Sequence, residues 1–334
     1  MPELSVVLPT FNRLSQLKRV LAALERQTFP ADRFEVVVVA DGCTDGTNEY
    51  LRSLRTPFEL VLSSQDNQGV AMARNRGVAH ARADLILFLD DDVVPVPEWI
   101  AEHMQVLRQD DQVVVLGPML PPPDVKLAPW VRWEERMLEK QYQDMIEGRW
   151  QPTARQFYTG NTSLAKRHIV AAGGFDPRFH RAEDVELAYR LKDLGLRFVF
   201  NPKAVGYHYA ERSFESWLKI PYAYGRYDVV ITRAKGQDWL LPTVLREFRG
   251  RSPLIRALTR LCLDRPRLSR VTITLLKQAV LLGDRLGVEA LPRYACSGIF
   301  NLRHYQGIAD ELGGAAAFWQ EMEKATNLRT TANG

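Results

Sequence analysis

Apolar and polar positions follow two distinct rhythms along the first 120 residues. Residues 5–8 form a short apolar run closed by Pro9, and Leu14, Leu17, Leu21 and Leu24 then recur every three or four positions. That spacing predicts a strand followed by a helix over about residues 15–27, one face of which lies on a sheet. Residues 34–40 are a continuous β-branched run ending in Asp41-Gly42, the signature of a strand buried on both faces. The alternation repeats: Asp45 or Thr47 caps a helix to Leu54, and residues 58–62, 85–89 and 113–116 read as strands. Residues 70–80 and 99–108 read as the intervening helices. The prediction is an α/β fold: a Rossmann-like, open, mostly parallel sheet flanked by helices, which binds ligands at the carboxyl ends of its strands.

Regularity breaks at residues 118–129, where five prolines preclude a helix or a central strand and predict an extended connector. A polar, Trp-containing helix over about 130–146 follows. Residues 163–172 and 185–194 read as helices stopped by Gly173-Gly174 and Gly195, and residues 197–201 as a short strand. Beyond Trp217 the chain reads as wholly helical, with one apolar stripe of Leu254, Leu258 and Leu261 and another of Leu275, Ala279, Leu282 and Leu286. Residues 324–333 read as a frayed tail.

Composition narrows the picture. The three cysteines, Cys43, Cys262 and Cys296, are too few and too far apart for a disulfide framework or a metal knuckle, so a reducing compartment is expected. With no signal-like amino terminus and no run of 18 apolar residues, the expectation is a cytoplasmic chain, at most peripheral on the inner face of the membrane. Residues 1–202 hold 24 basic and 28 acidic side chains, and the remainder 20 basic and 12 acidic. That asymmetry predicts two functional regions and an anionic partner for the second. Nucleic acid is not expected, because no recognition signature accompanies the basic residues.

Asp90, Asp91 and Asp92 directly follow the strand at 85–89, so three carboxylates leave a strand end where such a sheet places its site. Adjacent anions repel, and either a cation or a network of donors must offset them; all-oxygen ligation suits Mg²⁺ or Mn²⁺. A solvated acidic turn is the alternative. A second acidic group, Glu183-Asp184-Val185-Glu186, opens a helix. There it serves either as a cap favoured by the helix dipole or as a fixed general base. His208, between Tyr207 and Tyr209, is a metal ligand only if it joins the aspartates.

Five segments in order resemble glycosyltransferase family 2. They are Val6-Val7-Leu8-Pro9-Thr10-Phe11-Asn12-Arg13, Val39-Ala40-Asp41-Gly42 with Cys43 to Thr47, Asn67 to Gly77, Phe88 to Asp92, and Gly173-Gly174-Phe175-Asp176 with Glu183 to Leu191. The resemblance runs over about residues 4–210. It implies a GT-A fold, with a catalytic domain over 1–210 and a helical carboxyl-terminal region over 211–334. Within the domain, 1–119 would be the nucleotide-sugar half and 120–210 the acceptor and base half. It further implies a nucleotide-diphosphate sugar donor, a UDP-sugar first among them, a divalent cation, Mn²⁺ or Mg²⁺, and inverting transfer to a carbohydrate or lipid-linked acceptor.

The matched positions carry implied roles. Pro9, Thr10, Asn12 and Arg13 after strand one and Asp41 after strand two would hold the nucleotide, Asp41 by accepting from a base N–H. Arg74 and Asn75 would face the nucleotide and its phosphates. Asp90 would contact ribose or sugar, Asp91 is an extra acid at a position where the family often has a small residue, and Asp92 with His208 would bind the metal. Asp184 would be the base, with Glu183 its competitor. Gly160 and Asn161 would lie on the acceptor side, and Trp130 offers a ring for sugar stacking, although tryptophans spaced by three, as Trp130 and Trp133 are, also pack as core.

The QxxRW motif of the family's processive synthases is absent, which points to single-sugar transfer. A nucleotidyltransferase of sugar phosphates would carry a Gly-rich loop with Arg and Lys where this chain has Pro9 to Arg13. A non-catalytic nucleotide-binding scaffold would have no chemical need for Asp92, Asp184 and His208 together. The basic helical region beyond Ser213 lies outside the motifs. Three roles are open to it: capping the acceptor site, forming a homodimer, or resting on an anionic membrane, to which the amphipathic stretch 246–270 with eight arginines is suited.

Overall fold

The apolar runs become the centre of a sheet. In the computed structural model, which describes residues 1–327, strands β1 (Leu4–Thr10), β2 (Phe34–Asp41), β3 (Glu59–Gln65) and β4 (Leu85–Leu89) are joined by helices α1 (Leu14–Leu24), α2 (Thr47–Ser53) and α3 (Val70–His80). Next come β5 (Val93–Pro95), α4 (Trp99–Leu107), β6 (Val113–Leu116), β7 (Met119–Leu120) and α5 (Pro129–Ile146). Then follow β8 (Asn161–Ala165), α6 (Lys166–Ala171), α7 (Glu183–Asp193), β9 (Arg197–Phe200) and β10 (Gly206–His208). Among the described residues, seven strands form one sheet in the order β3-β2-β1-β4-β8-β6-β9, and β5, β10 and β7 form a small second sheet.

Side chains of β1 and β2 are buried on both faces because helices cover both. Val6, Leu8, Val36 and Val38 share a core with Leu17, Val20, Leu21 and Leu24 of α1. On the opposite face α3 approaches so closely that a Cβ on Gly77 would lie 2.4 Å from Val7 and 3.4 Å from Val39. Parallel pairing of β1 with both β2 and β4 brings the segments after all three strands to one edge of the sheet.

Residues 163–172, read as a helix, are divided: β8 takes the first part and only Lys166–Ala171 is helical. Strand β8 runs antiparallel to both β4 and β6, with Leu87 opposite Ser163. All five of its residues are buried, so the polar-apolar alternation that marks a half-exposed strand is missing. The connector at 118–129 contains the edge strand β7, and its last proline opens α5.

Asn161, expected on the acceptor side, is instead a fully buried hub. Its Oδ1 accepts from Trp99 Nε1 at 2.7 Å and His103 Nε2 at 2.9 Å, while Nδ2 donates to the carbonyls of Pro118 and Ala204. All four hydrogen-bonding positions of the amide are used, so none is left for a ligand. Burial lowers the pKa of His103 to about 4 and keeps the ring neutral. Asn161→Ala strands two donors and the Ala204 carbonyl, each worth about 1–3 kcal/mol when buried unpaired, while the Pro118 carbonyl still accepts from Gly206 N. A stability loss of at least about 3 kcal/mol is expected in urea unfolding, and a loss below about 1 kcal/mol would rule the hub out.

The chain divides into two units: residues 1–126 with 135–210, and residues 127–134 with 211 onward. The boundary therefore falls inside α5. The second unit is helical: α8 (Phe214–Ala234), α9 (Leu240–Gly250), α10 (Pro253–Cys262), α11 (Pro266–Leu286), α12 (Ala290–Leu312) and α13 (Ala315–Asn327). A Cβ on Gly225 of α8 would meet the His304 carbonyl oxygen at 2.0 Å, and one on Gly307 of α12 would meet that of Tyr222 at 2.0 Å. The two helices cross backbone against backbone. Helix α13 includes the start of the segment read as a tail; the rest of that segment lies outside the described residues.

Candidate active site

The acidic turn after β4 is held by specific partners. Asp90 Oδ1 accepts from Arg74 Nη2 at 2.9 Å; Asp91 accepts from Thr10 Oγ1 at 2.7 Å and Arg13 Nη1 at 3.1 Å; and Asp92 Oδ2 accepts from the same Arg13 nitrogen at 2.7 Å. A network of donors thus offsets part of the repulsion between the three carboxylates. Asp91 is the most enclosed of them, and burial, opposed by Arg13 and assisted by Asp92, pushes its pKa up to about 6. Gly160 lies against this turn, where a Cβ would come within 3.0 Å of Asp90 Oδ2. The Leu89–Asn161 pairing of β4 with β8 puts it there.

His208 reaches the turn through the small sheet. Strand β5 directly follows the aspartates and pairs antiparallel with β10, with His208 opposite Val93. Tyr209 N donates to the Asp92 carbonyl at 2.8 Å. His208 Nε2 faces Asp92 Oδ1 at 3.8 Å, and Nδ1 lies 3.2 Å from Glu135 Oε1. Glu135, on α5, is 3% exposed, and its Oε2 is buried without a hydrogen bond. The polar run around it on α5 reads as a solvated helix face, so nothing in its spacing sets this carboxylate apart.

The nucleotide-side residues are stitched to one another. Asn12, at φ 52°, accepts from Thr44 N at 2.8 Å, tying the loop after β1 to the loop after β2. Pro9 is buried within β1. The Asp41 carboxylate accepts from Gln65 Nε2 and from the backbone N–H groups of Gln68 and Gly69, at 2.7 to 2.9 Å. One lone pair on Oδ2 is left, since a carboxylate offers about four. Its immediate work is holding the loop before α3.

Arg74 and Asn75 differ from expectation in the same way. Arg74 is buried, and it bridges Asp90 to Glu183, donating from Nη1 to Glu183 Oε1 at 2.6 Å. Asn75 clamps the backbone of Phe175, donating to its carbonyl at 2.7 Å and accepting from its N–H at 2.8 Å. Both side chains join the half with β1–β4 to the segment leading into α7, rather than presenting an open face to phosphates.

Helix α7 begins at Glu183, after Ala182 at φ 60°. A non-glycine residue with positive φ is uncommon and strained. Glu183 is paired with Arg74, whereas Asp184 accepts only from Val185 N at 2.8 Å and has no ion-pair partner among the described residues. Burial, with the neighbouring Glu183 charge, pushes the Asp184 pKa up to about 7, against the pull of Arg74. Two adjacent carboxylates are thereby separated in character, one paired and one able to exchange a proton near neutrality.

Trp130 belongs to the helical unit. Its ring packs edge-on to Phe214 with centroids 5.2 Å apart, and its Nε1 donates to the Arg212 carbonyl at 2.9 Å. Trp133 lies in the same aromatic cluster, against Trp217 and Phe300. The core alternative for this pair is the one observed.

The fold is that of GT-A proteins. A Staphylococcus aureus TarS fragment solved with UDP-GlcNAc superposes with a TM-score of 0.58 at 18% identity, over 94% of this chain and 93% of that one. The mannosyltransferase PcManGT from Pyrobaculum calidifontis, solved with GDP-Man and Mn²⁺, gives a TM-score of 0.57 at 18% identity, over 99% and 79%. Residues 5–173 match the family model of glycosyl transferase family 2, and the chain belongs to that family of glycosyltransferases. Validoxylamine A glucosyltransferase from Streptomyces hygroscopicus subsp. jinggangensis is 33% identical over 61% of this chain and 55% of its own length. The chain thus spans about half of that relative. The glycosyltransferase AglE of Haloferax volcanii is 25% identical over 73% of this chain and 76% of its own.

Proposed function

We propose that this chain transfers one sugar from a nucleotide-diphosphate sugar, a UDP-sugar first among them, to a carbohydrate or lipid-linked acceptor hydroxyl, inverting the anomeric centre. The observation that carries this reading is the contrast at the start of α7: Glu183 is committed to Arg74, and Asp184 is left with a proton affinity near neutral. Asp184 takes the acceptor hydroxyl proton as that oxygen bonds to the anomeric carbon and the bond to the diphosphate breaks. Asp41 offers its remaining lone pair to a base N–H. Asp90, beside Gly160, takes a sugar or ribose hydroxyl on the oxygen that Arg74 does not occupy.

The residues present fit a divalent cation. Asp92 Oδ1 and His208 Nε2 are close enough to share one ion, and a mixed oxygen and imidazole set suits Mn²⁺ or Mg²⁺, with the nitrogen favouring Mn²⁺. Asp92 and His208 would hold the ion from the protein side, and among the described residues no group of three ligating side chains converges. The buried Glu135 beside Nδ1 favours a proton there, which turns the Nε2 lone pair toward Asp92. When bound, the cation stabilises the charge that develops on the departing diphosphate. Arg13, which contacts both Asp91 and Asp92, holds the turn in register.

The test is nucleotide release. UDP-glucose, UDP-GlcNAc and GDP-mannose are incubated with the chain and Mn²⁺, and free nucleoside diphosphate is measured by chromatography. At least one donor is expected to be split faster by the wild type than by Asp184→Asn. If calorimetry detects binding of a donor and none of the three is split, the chain is a non-catalytic nucleotide-binding scaffold and the reading fails.

A further inference from the structure

Helix α11 carries an unpartnered apolar stripe. Val271, Leu275, Leu282 and Leu286 recur at helical spacing, and their exposures are 54%, 65%, 52% and 64%. Leu276, on another side of the helix, is turned inward: it and Leu258 of α10 both lie 3.5 Å from where a Cβ on Gly298 of α12 would sit. Leu258, grouped by sequence with Leu254 and Leu261, is therefore a packing residue. Its companions remain in solvent, Leu254 at 74% and Leu261 at 48% exposure. So much apolar surface along consecutive helices exceeds what isolated surface leucines explain.

Charge identifies the occupant. Residues 253–286 contain seven basic side chains against two acidic ones, and one of those acids, Asp284, is ion-paired with Arg132. Arg267, Arg270 and Arg285 on α11 are all exposed. Two copies packed face to face here would bring like charges together, while an anionic bilayer supplies the opposite charge and an apolar layer at once. None of the described helices is long and apolar enough to cross a membrane, so engagement is in the plane of the interface.

We infer that the α10–α11 face of the helical unit is a docking surface for anionic phospholipid, with the α11 leucines entering the headgroup boundary and the arginines bound to lipid phosphates. The interaction is independent of the transfer reaction, since it needs no donor and is read without turnover. The test is sedimentation of the full chain with vesicles of phosphatidylcholine alone or mixed with phosphatidylglycerol. Binding is expected only to the mixed vesicles and is expected to be lost at about 0.5 M NaCl, where the Debye length falls to a few ångströms. Leu275→Glu with Leu282→Glu, and separately Arg267→Glu with Arg285→Glu, should each weaken binding by about tenfold or more. Their melting temperatures should stay at the wild-type value, because all four positions are exposed. Equal binding to both vesicle types, or to neither, overturns the proposal. So does a wild-type dimer in light scattering that Leu275→Glu with Leu282→Glu converts to monomer, because a second copy then covers the face.

Discussion

Asparagine at position 184 is expected to leave donor affinity within about twofold of wild type while lowering turnover by roughly 10² to 10⁴-fold, the scale of a lost general base. The substitution preserves shape and hydrogen bonding and removes only the ability to take a proton. Because Asp184 acts deprotonated and its pKa is raised to about 7, kcat/KM of the wild type should climb as pH rises toward 7 and level off above it. Stability moves the other way. The pKa of the folded state lies above the ordinary carboxyl value of 3.8, so the contribution of Asp184 is fully present below that value and is lost as pH rises through about 7. Asp184→Asn should therefore melt above wild type at pH 8, by the equivalent of about 1–2 kcal/mol, and the gap should close in acid. Near-wild-type turnover in Asp184→Asn, with transfer abolished in Glu183→Gln, would exchange the roles of the two carboxylates.

The second large effect lies at the acidic turn. Asp92→Ala is expected to weaken Mn²⁺-dependent nucleotide binding by at least about tenfold, as expected for loss of a charged contact worth 1.5–3 kcal/mol. Mn²⁺ titration of the chain with UDP, followed by calorimetry or by Mn²⁺ electron paramagnetic resonance, reads this without turnover. Glu135→Gln should fall in the same direction, by about 10 to 100-fold in metal affinity, since its carboxylate lies against Nδ1 of the His208 ring. If Asp92→Ala retains full Mn²⁺-dependent affinity, the aspartate holds no metal.

The parallel half of the sheet was legible because long β-branched runs and three-or-four-residue apolar spacing are local signals. Strand β4 and the three aspartates after it could be placed from the chain alone. Strand β8 could not, since five buried residues inserted antiparallel break the βα alternation that made the rest readable. The strands of the small sheet have two or three residues, too few for any period, yet they carry His208 to Asp92. Motif matching singled out Asp90 and Glu183, and the structure brings both carboxylates to one guanidinium. The motifs had no means of showing that Arg74 lies between them, because the Arg74–Glu183 contact spans 109 positions. Asn161 and Asn75 illustrate the same limit. Each lies in or beside a stretch that suggests ligand contact, and tertiary packing uses both amides for backbone and side-chain partners instead.

The crossing of α8 and α12 at Gly225 and Gly307 governs how the helical unit can change. With each Cβ position already filled by a carbonyl of the opposite helix, no other amino acid fits at either site without forcing the two axes apart. Sequence drift in this unit is thus confined to faces directed away from that crossing. The outward side of α11 is one of them, and its composition can be retuned, toward more leucine or more arginine, while the helical scaffold behind it keeps its geometry.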